Sequence, residues 1–540
     1  MQVQNESLLK GLRFLVVDDF AAMRDMIFQM LKSLQVSEID MVSDGKQAVS
    51  KMVLSHYDVV LCDYNLGHGK NGQQILEEAR QRDLIRVSDI FVMITAESGA
   101  DMVMGAIEHR PDDYISKPFN KELLKNRIER LILRKQNLAP IVREVTLGNI
   151  EKALEICDEL IAANPKNILE VMRYKADMLM RERSYLQAID AYEAINQRRP
   201  MPWARLGVAV GHFHTLHYEE SYKILTALLS ENPHYVECYD WLAQIEAKRD
   251  DYDRAIGLLQ EAITISPFSV PRYRTLGEYQ RKKGDLEGAE HSFTRVISLA
   301  SESIHEDAGN NAKLAAVLID KGESAKALKA LSGLKKKYRM DPEGLLQISL
   351  SENRAHIARG SDQLAQQSID EVDKLTHRIT EPLSASTSLE VAKAYFSNGK
   401  DDEGVEKLKE LVGNHHDDTD LLHNIEAVFD EHHLGEMGRE LIATAKKEIV
   451  DLNNRGVTLA KQGKLNEAKT LFINALKSMP DNITINLNAA QIFVMALKDE
   501  TNHNNYEDME QLNRCINRVR ILDPRNSKLA KLLTHLPKRK

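Results

Sequence analysis

The sequence has few cysteines and no arrangement of them that would build a covalent or metal-held scaffold. Only four occur in 540 residues, at Cys62, Cys157, Cys238 and Cys515, and no two of them form a CxxC pair. This spacing argues against a zinc knuckle and against a disulfide framework. We therefore expect all four to be small buried apolar residues in a reducing compartment.

Long apolar runs and an excess of basic residues are lacking as well. No apolar run approaches the roughly 18–20 residues that cross a bilayer, and the first residues lack a basic region followed by an apolar one. We therefore expect a cytoplasmic protein without membrane insertion. The formal net charge of −9 argues against a chain-wide nucleic-acid surface, because such surfaces are built from a Lys/Arg excess.

Aromatic residues make up only 6% of the chain, whereas Ala, Leu, Glu and Lys are frequent. This composition favours helices. The length corresponds to three or four domains, or to one small domain followed by a repeat array.

The first 135 residues alternate between predicted strands and helices. Short apolar runs predict buried strands at 14–17, 58–62 and 90–94, with shorter strands at 40–42 and 114–115. Helices are predicted between and after them, at 20–34, 46–54, 72–81, 101–108 and 120–134. Five such βα units predict a doubly wound parallel sheet, whose site lies at the carboxyl ends of the strands.

Polar residues follow four of these strands at the predicted rim. Asp18 and Asp19 end the first strand, and Asp63 ends the third. Thr95 ends the fourth strand, and Lys117 follows the fifth. Crowded carboxylates repel one another unless a cation lies among them, and hard oxygen ligands suit Mg²⁺. The lysine and the threonine could then contact phosphoryl oxygens, while a remaining carboxylate acts as a nucleophile that forms an aspartyl phosphate.

The motifs that contain these residues resemble the receiver domain of two-component response regulators. The four motifs are VVDD (16–19), LCDYN (61–65), ITA (94–96) and DYISKPF (113–119). Their order, spacing and strand-end positions match the family over roughly residues 10–135. The resemblance implies a flavodoxin-like α/β fold with a five-stranded parallel sheet.

The resemblance also assigns a role to each residue. It implies that Asp63 is the phosphoacceptor, and that Thr95 and Lys117 contact the phosphoryl group. Tyr114, three residues before Lys117, matches the switch aromatic, which rotates inward when the threonine hydroxyl moves toward the phosphoryl group. The implied Mg²⁺ ligands are Asp18, Asp19, Asp63 and the main-chain carbonyl of Asn65.

Two features of the loops concern the lifetime of the phosphoryl group. Asn65 and Glu97 occupy the positions that line the path of the attacking water in receivers. The pair is similar to that of chemotaxis-type receivers, which implies fast self-dephosphorylation. The family usually has Pro four residues and Gly eight residues after the phosphoacceptor. This chain has Gly67 and, one residue late, Gly72, so the loop is one residue longer and more flexible.

The remaining 400 or so residues show helical spacing and a period of about 34 residues. The clearest copies are 239–267, 273–299 and 452–480. Small residues recur at the eighth position (Ala243, Gly277, Gly456) and the twentieth (Ala255, Ala289, Ala468), and large ones at the twenty-fourth (Leu259, Phe293, Phe472). A small residue lets two helices approach closely while the large one fills the groove beside it. This pattern resembles the tetratricopeptide repeat.

Weaker copies complete a predicted all-α superhelix of roughly eleven hairpins. We divide the chain into the receiver (1–135), a first repeat stack (136–380) and a second stack (381–540). A hinge is predicted near Pro382, and a capping helix at 529–536 ends the second stack. The concave groove of such an array binds peptides or whole proteins.

Two histidine groups in the repeats could be drawn as metal sites. They are His212, His214 and His217, and His415, His416 and His423 with Asp417 and Asp418. We interpret both as polar faces and loops of helical hairpins, because structural metal sites usually have tighter ligand spacing.

Three functions remain open from the sequence. In the first, the repeats hold a protein or peptide ligand, and phosphorylation of Asp63 by a histidine kinase or phosphotransfer protein opens or closes the groove. In the second, the protein is an auxiliary regulator that docks on such a kinase and modulates phosphate flow to another response regulator. The third, a nucleic-acid-binding regulator, conflicts with the net charge. We expect no enzyme activity beyond self-phosphorylation and self-dephosphorylation of the receiver.

Overall fold

The fold was analysed in a computed structural model of the chain. It describes residues 8–67, 69–86, 88–96, 111–136, 138–163, 168–301, 303–380, 382–498, 505–523 and 526–534. The predicted helix at 101–108, His68 and Glu97 lie outside these residues.

The N-terminal part contains the five-stranded parallel sheet that the sequence predicted, and its strand order is β2-β1-β3-β4-β5. The strands are β1 Arg13–Val17, β2 Glu38–Val42, β3 Val59–Asp63, β4 Ile90–Thr95 and β5 Asp113–Ser116. Every residue of β3 and β4 is buried, which explains their unbroken apolar runs. In the register, Asp63 pairs with Ile94 and Thr95 pairs with Ser116. The carboxyl ends of three neighbouring strands therefore meet at one rim.

Helices cover both faces of this sheet. They are α1 Ala21–Ser33, α2 Gly45–Leu54, α3 Gly72–Gln81 and α4 Lys121–Gln136. Residues of α1 and α4 pack in one apolar core, and residues of α2 and α3 pack in a second. Asp44 caps α2 by accepting from the Gln47 amide at 2.8 Å, and Asn71 forms a capping box with Gln74 at the start of α3. The predicted and observed bounds of these four helices differ by no more than two residues.

The described residues after α4 are all helices and their connections. The helices in the first part are α5 Ala139–Thr146, α6 Ile150–Ala162, α7 Ile168–Arg181, α8 Tyr185–Arg198, α9 Pro202–His214, α10 Tyr218–Glu231, α11 Val236–Lys248, α12 Tyr252–Ile265, α13 Val270–Lys283 and α14 Leu286–Ala300. Those in the second part are α15 Ala308–Asp320, α16 Ser324–Leu331, α17 Leu334–Lys337, α18 Pro342–Ala358, α19 Asp362–Arg378, α20 Ala385–Ser397, α21 Asp401–Asn414, α22 Thr419–Glu431, α23 Gly435–Lys461, α24 Leu465–Ser478, α25 Ile483–Lys498, α26 Asn505–Leu522 and α27 Ser527–Thr534. In the described residues, we find no helix long and apolar enough to cross a membrane.

The contacts divide the chain into two compact units, Met1–Glu306 and Asp307–Lys540. The first unit combines the sheet domain with the helices up to α14, and the second contains the helices from α15 onward. The predicted boundaries at 135 and 380 and the hinge near Pro382 stay predictions. The described residues of the predicted hinge lie in a non-helical connection between α19 and α20.

The helical hairpins pack small residues against large ones, as the repeat pattern predicted. A Cβ placed on Gly277 would lie 3.0 Å from the ring of Phe293, and one placed on Gly207 would lie 2.6 Å from the ring of Tyr192. The alanines at the twentieth position of the three clearest copies (Ala255, Ala289 and Ala468) are fully buried. Close helix approach at these points therefore depends on the absence of a larger side chain.

One helix in the second unit is longer than the repeat pattern predicted. The sequence predicted that a separate repeat copy begins at Leu452, but α23 runs unbroken from Gly435 to Lys461, over 27 residues. The joining residues 446–451 contain neither Gly nor Pro, and Ile449 among them is 2% exposed. Because nothing breaks the helix and its apolar face stays buried, two repeat helices merge into one.

The packing of small residues against large ones predicts that Gly→Ala changes the stability of the first unit in opposite directions at two positions. Gly207→Ala should destabilise this unit by about 1–3 kcal/mol, because its methyl group would enter the ring of Tyr192. That ring is held by a 2.5 Å hydrogen bond from its hydroxyl to Asp177. Gly257→Ala should stabilise by about 0.5–1 kcal/mol, because Gly257 lies inside α12 with open space at its Cβ position. Thermal unfolding of the full chain measures both, and equal shifts would contradict the packing.

Candidate functional site

Three carboxylates meet where β1 and β3 end. Asp18 and Asp19 follow β1, and Asp63 is the last residue of β3, its neighbour in the sheet. One carboxylate oxygen from each of the three lies within 4.8 Å of the other two. Asp18 is 1% exposed and Asp63 is 7% exposed, whereas Asp19 faces solvent. The strand order therefore brings together the three acids that the sequence predicted at this rim.

Lys117 joins two of these carboxylates. Its Nζ donates to Asp18 Oδ2 at 2.8 Å and to Asp63 Oδ2 at 2.9 Å. Its main-chain amide donates to the carbonyl oxygen of Thr95 at 2.7 Å, and the peptide bond to Pro118 is cis. The ammonium thus offsets part of the repulsion between two buried carboxylates, and it lies directly beside the predicted nucleophile.

The N-terminus of α1 fixes Asp18 in this position. The Phe20 amide donates to Asp18 Oδ1 at 2.9 Å, and Arg24 Nη1 donates to the Asp18 carbonyl oxygen at 2.6 Å. No sequence motif indicated this contact of Arg24. Its position within the first turn of α1 was the available signal, and many helices carry an arginine there without any such contact.

Asp63 and Lys117 have shifted pKa values. Burial raises the pKa of Asp63, although the hydrogen bond and charge of Lys117 act in the opposite direction. Burial alone would lower the pKa of Lys117, but the hydrogen bonds and charges of Asp18 and Asp63 together outweigh it and raise the pKa. At pH values between the ordinary carboxyl pKa and the raised pKa of Asp63, this carboxyl group is protonated to a greater extent in the folded state than in the unfolded state. Stability therefore falls as pH rises through this window, so ionised Asp63 is maintained at a cost in stability.

Thr95 and Tyr114 lie at the neighbouring strand ends. Thr95 is the last residue of β4 and is 8% exposed. Tyr114 lies in β5, is partly buried, and packs against the same apolar core as α2 and α3. Burial, with a smaller contribution from Tyr64, raises the pKa of the Tyr114 phenol. Its role as a switch stays a prediction, as do the other residue roles that the sequence assigned.

The loop after β3 contains the remaining candidate residues. Asn65 is exposed, and its side-chain oxygen accepts from the Gly67 amide at 3.2 Å. Gly67 has φ +71°, a left-handed conformation that favours glycine. Glu97, the partner predicted for Asn65 in tuning hydrolysis, lies outside the described residues.

The backbone contacts of Gly72 explain why α3 begins with a glycine. Its amide donates to the Tyr64 carbonyl oxygen at 2.9 Å, so α3 begins directly beside the end of β3. A Cβ on Gly72 would collide with the carbonyl oxygen of Asp63. The glycine that stands one residue late in the sequence thus permits the backbone of α3 to contact the backbone of the predicted phosphoacceptor.

The donor set of Asp18, Asp19 and Asp63 fits Mg²⁺, since hard carboxylate oxygens are its preferred protein ligands. In the described residues, one other group has ligand atoms this close together, namely His56, Asp58 and Asp89. His56 Nε2 there lies 2.9 Å from Asp89 Oδ2, and Asp58 accepts from the Arg13 amide, so structural hydrogen bonds explain that group. The histidine groups of the repeats do not assemble into such a cluster among the described residues.

The metal site predicts a stabilisation that depends on Asp19. We expect Mg²⁺ to raise the melting temperature of the first unit, because an ion that binds only the folded state stabilises it by mass action. Asp19→Asn should remove most of this shift, and its exposed side chain makes misfolding an inadequate explanation. Asp25→Asn, on the exposed face of α1, is the matched control and should keep the shift. Scanning calorimetry with increasing Mg²⁺ measures it; an equal response of both variants would contradict the ligand assignment.

Comparison with known families supports two kinds of module. The family model described as the response regulator receiver domain matches residues 14–129, and a tetratricopeptide repeat model matches residues 216–270. The chemotaxis protein CheY of Pseudomonas aeruginosa is 28% identical over 123 residues, which make up 23% of this chain and 98% of that protein. CheY-3 of Vibrio cholerae is 28% identical over 127 residues, or 24% of this chain and 96% of that protein.

Solved structures are similar to separate parts of the chain. The chemotaxis response regulator CheY4 of Vibrio cholerae has a TM-score of 0.21 at 23% identity, covering 22% of this chain and 98% of its own. A tetratricopeptide repeat protein from Parabacteroides merdae has a TM-score of 0.34 at 13% identity, covering 48% of this chain and 97% of its own. The family matches and the fold together identify a response regulator receiver domain fused to tetratricopeptide repeats.

Proposed function

We propose that this receiver–repeat protein accepts a phosphoryl group on Asp63 and binds a protein partner through its repeats in a phosphorylation-dependent way. The donor would be a histidine kinase or a phosphotransfer protein. The observation that carries this proposal is the position of Lys117 Nζ, within 2.9 Å of both Asp63 and the buried Asp18. The ammonium group of Lys117, already held by two carboxylates, is placed to bind a further negatively charged group, the incoming phosphoryl group.

The chemistry follows from the groups around Asp63. A carboxylate oxygen of Asp63 attacks phosphorus, the bond from phosphorus to the donor nitrogen breaks, and the bonding electron pair leaves with the imidazole. Lys117 can hydrogen-bond the added oxygens, and the Thr95 hydroxyl lies at the adjacent strand end to do the same. When bound by Asp18, Asp19 and Asp63, Mg²⁺ would supply neutralisation of the phosphoryl oxygens.

We further propose that the receiver catalyses only its own phosphorylation and dephosphorylation. Asn65 is exposed beside Asp63, where it can meet water that attacks the aspartyl phosphate. With Glu97 it would make the phosphorylated state short-lived. Because phosphohistidine donors of this kind act in the cytoplasm, the protein would act there too.

The repeats supply the binding part of the proposal. Close helix contacts occur within a hairpin at Gly277, which meets Phe293, and between neighbouring hairpins at Gly207, which meets Tyr192. Stacked hairpins of this kind form extended surfaces suited to a peptide or a whole protein.

Affinity capture from native lysate tests this function. The full chain is used as bait with and without beryllofluoride and Mg²⁺, which mimic the phosphoryl group, and Asp63→Asn is the control. We expect a protein whose recovery changes with beryllofluoride on the wild-type bait and not on Asp63→Asn. Enrichment of a histidine kinase or another response regulator would instead support the auxiliary role. Recovery that is independent of beryllofluoride for every captured protein would contradict gating.

A further inference from the structure

Helix α3 of the receiver touches the end of repeat helix α14 within the first unit. Gln74 Nε2 donates to the Leu299 carbonyl oxygen at 3.3 Å, and His305 Nε2 lies 2.7 Å from Glu77 Oε1. We call this pair of contacts, made by Gln74 and Glu77 with Leu299 and His305, the α3 clasp. It joins the receiver to a segment more than 220 residues further along the chain.

The composition of α3 makes the clasp a polar contact. Ile75, Leu76 and Ala79 pack into the receiver core, whereas Gln74 and Glu77 face away from it. The side chains of Glu77 and His305 are nevertheless only 21% and 18% exposed. Polar contacts between domains of one chain are typical of transient rather than permanent interfaces, so the clasp is a contact of the kind that can open and close.

The start of helix α3 lies against the backbone of the predicted phosphoacceptor, Asp63. Gly72, the first residue of α3, has no room for even a methyl group against the Asp63 carbonyl oxygen. Gln74 follows two residues later and Glu77 five residues later on the same helix. A shift of the Asp63 backbone must therefore move the start of α3, and a hydrogen bond that is already 3.3 Å long fails with a small displacement.

We propose that the α3 clasp is closed in the unphosphorylated protein and opens when a phosphoryl group is attached to Asp63. The phosphoryl group adds volume and negative charge at the place where Lys117 bridges Asp18 and Asp63. Helix α3 then transmits the resulting displacement of the Asp63 backbone to residues 299–306. The clasp is thus a non-covalent contact between receiver and repeats, in addition to the covalent continuation through α4. This inference rests on the proposed phosphorylation of Asp63.

Thermodynamic linkage turns the proposal into a measurable quantity. If occupancy of the phosphoryl site opens the clasp, then breaking the clasp must strengthen binding at the phosphoryl site by the same factor. The two variants Glu77→Ala and His305→Ala weaken the clasp by removing its Glu77–His305 contact from opposite sides. Glu77→Ala places a strong helix former in α3, and His305→Ala leaves the receiver sequence unchanged.

Beryllofluoride affinity of the full chain, measured by titration calorimetry at fixed Mg²⁺, tests the proposal. Both variants should bind beryllofluoride more tightly than wild type, by about fivefold or more. Gln81→Ala, at the exposed end of the same helix, should bind as wild type does. The double variant Glu77→Ala/His305→Ala should gain no more than either single variant, because the two side chains act through one contact.

Three results would contradict the proposed coupling between the α3 clasp and Asp63. Unchanged affinity in both variants would show that the contact is not coupled to Asp63, and weaker affinity would show coupling of the opposite sign. Additive gains in the double variant would show that the two residues act separately. Absence of beryllofluoride binding to the wild-type chain is a distinct result, which would overturn the proposed function itself.

Discussion

Asp63→Asn is expected to abolish phosphorylation of this protein. With acetyl phosphate and Mg²⁺, the wild-type chain should incorporate one phosphoryl group, and the variant should show only background labelling. The reason is chemical, because an asparagine amide lacks the carboxylate oxygen that forms the acyl phosphate. Intact-protein mass spectrometry or radiolabelling measures the incorporation. Asn keeps the size of the side chain and can still accept the hydrogen bond from Lys117, so loss of the fold would not explain the result.

The matched control is Asp25→Asn. It makes the same change of charge on α1, where the side chain is exposed. This variant should be labelled as fully as wild type. Persistent labelling of Asp63→Asn would show that the phosphoacceptor is another residue, whatever the control does.

Lys117→Met is expected to have the second largest effect. Labelling should be slower by about 10²-fold, since one preorganised cation beside the developing charge is lost. The pKa of Asp63 should also rise above its wild-type value, because the hydrogen bond and charge of Lys117 both lower it while burial raises it. The protonated fraction of Asp63 at a given pH should therefore be larger in the variant.

The pH dependence of labelling separates these two effects. Labelling should increase with pH as Asp63 becomes ionised, and the midpoint should lie at higher pH in Lys117→Met than in wild type. The same donor is used for both proteins, so titration of the donor cancels in the comparison. Lys46→Met, at an exposed position of α2, should match wild type in rate and midpoint. An unshifted midpoint in Lys117→Met would mean that the lysine does not control ionisation of Asp63.

The strand ends explain why much of the site could be predicted from the sequence. In a parallel sheet all carboxyl ends lie at one edge, so Asp18, Asp63 and Lys117 had to be near one another once the strands were assigned. Buried strands such as β3 and β4 read as unbroken apolar runs, which made that assignment direct. The repeat hairpins were predictable for a similar reason, since the pairing of Gly277 with Phe293 recurs at a fixed period.

What the sequence could not predict depends on contacts between distant segments. Glu77 and His305 belong to no motif, and nothing in the periodicity of α3 or α14 indicates that they meet. Gly72 was visible as a displaced glycine, but its contact with the Asp63 backbone required the three-dimensional path of the loop. In the same way, the fusion of two repeat helices in α23 depends on burial of Ile449 rather than on any break or cap in the sequence.

The central claim, that occupancy of Asp63 changes the repeats, is tested most directly by hydrogen–deuterium exchange of the full chain. Wild type and Asp63→Asn are compared with and without beryllofluoride and Mg²⁺. We predict slower exchange around residues 63–72 together with altered exchange in the repeat helices, including faster exchange at 299–306, in wild type alone. Changes confined to residues 13–136, with every repeat peptide unaffected, would contradict the account.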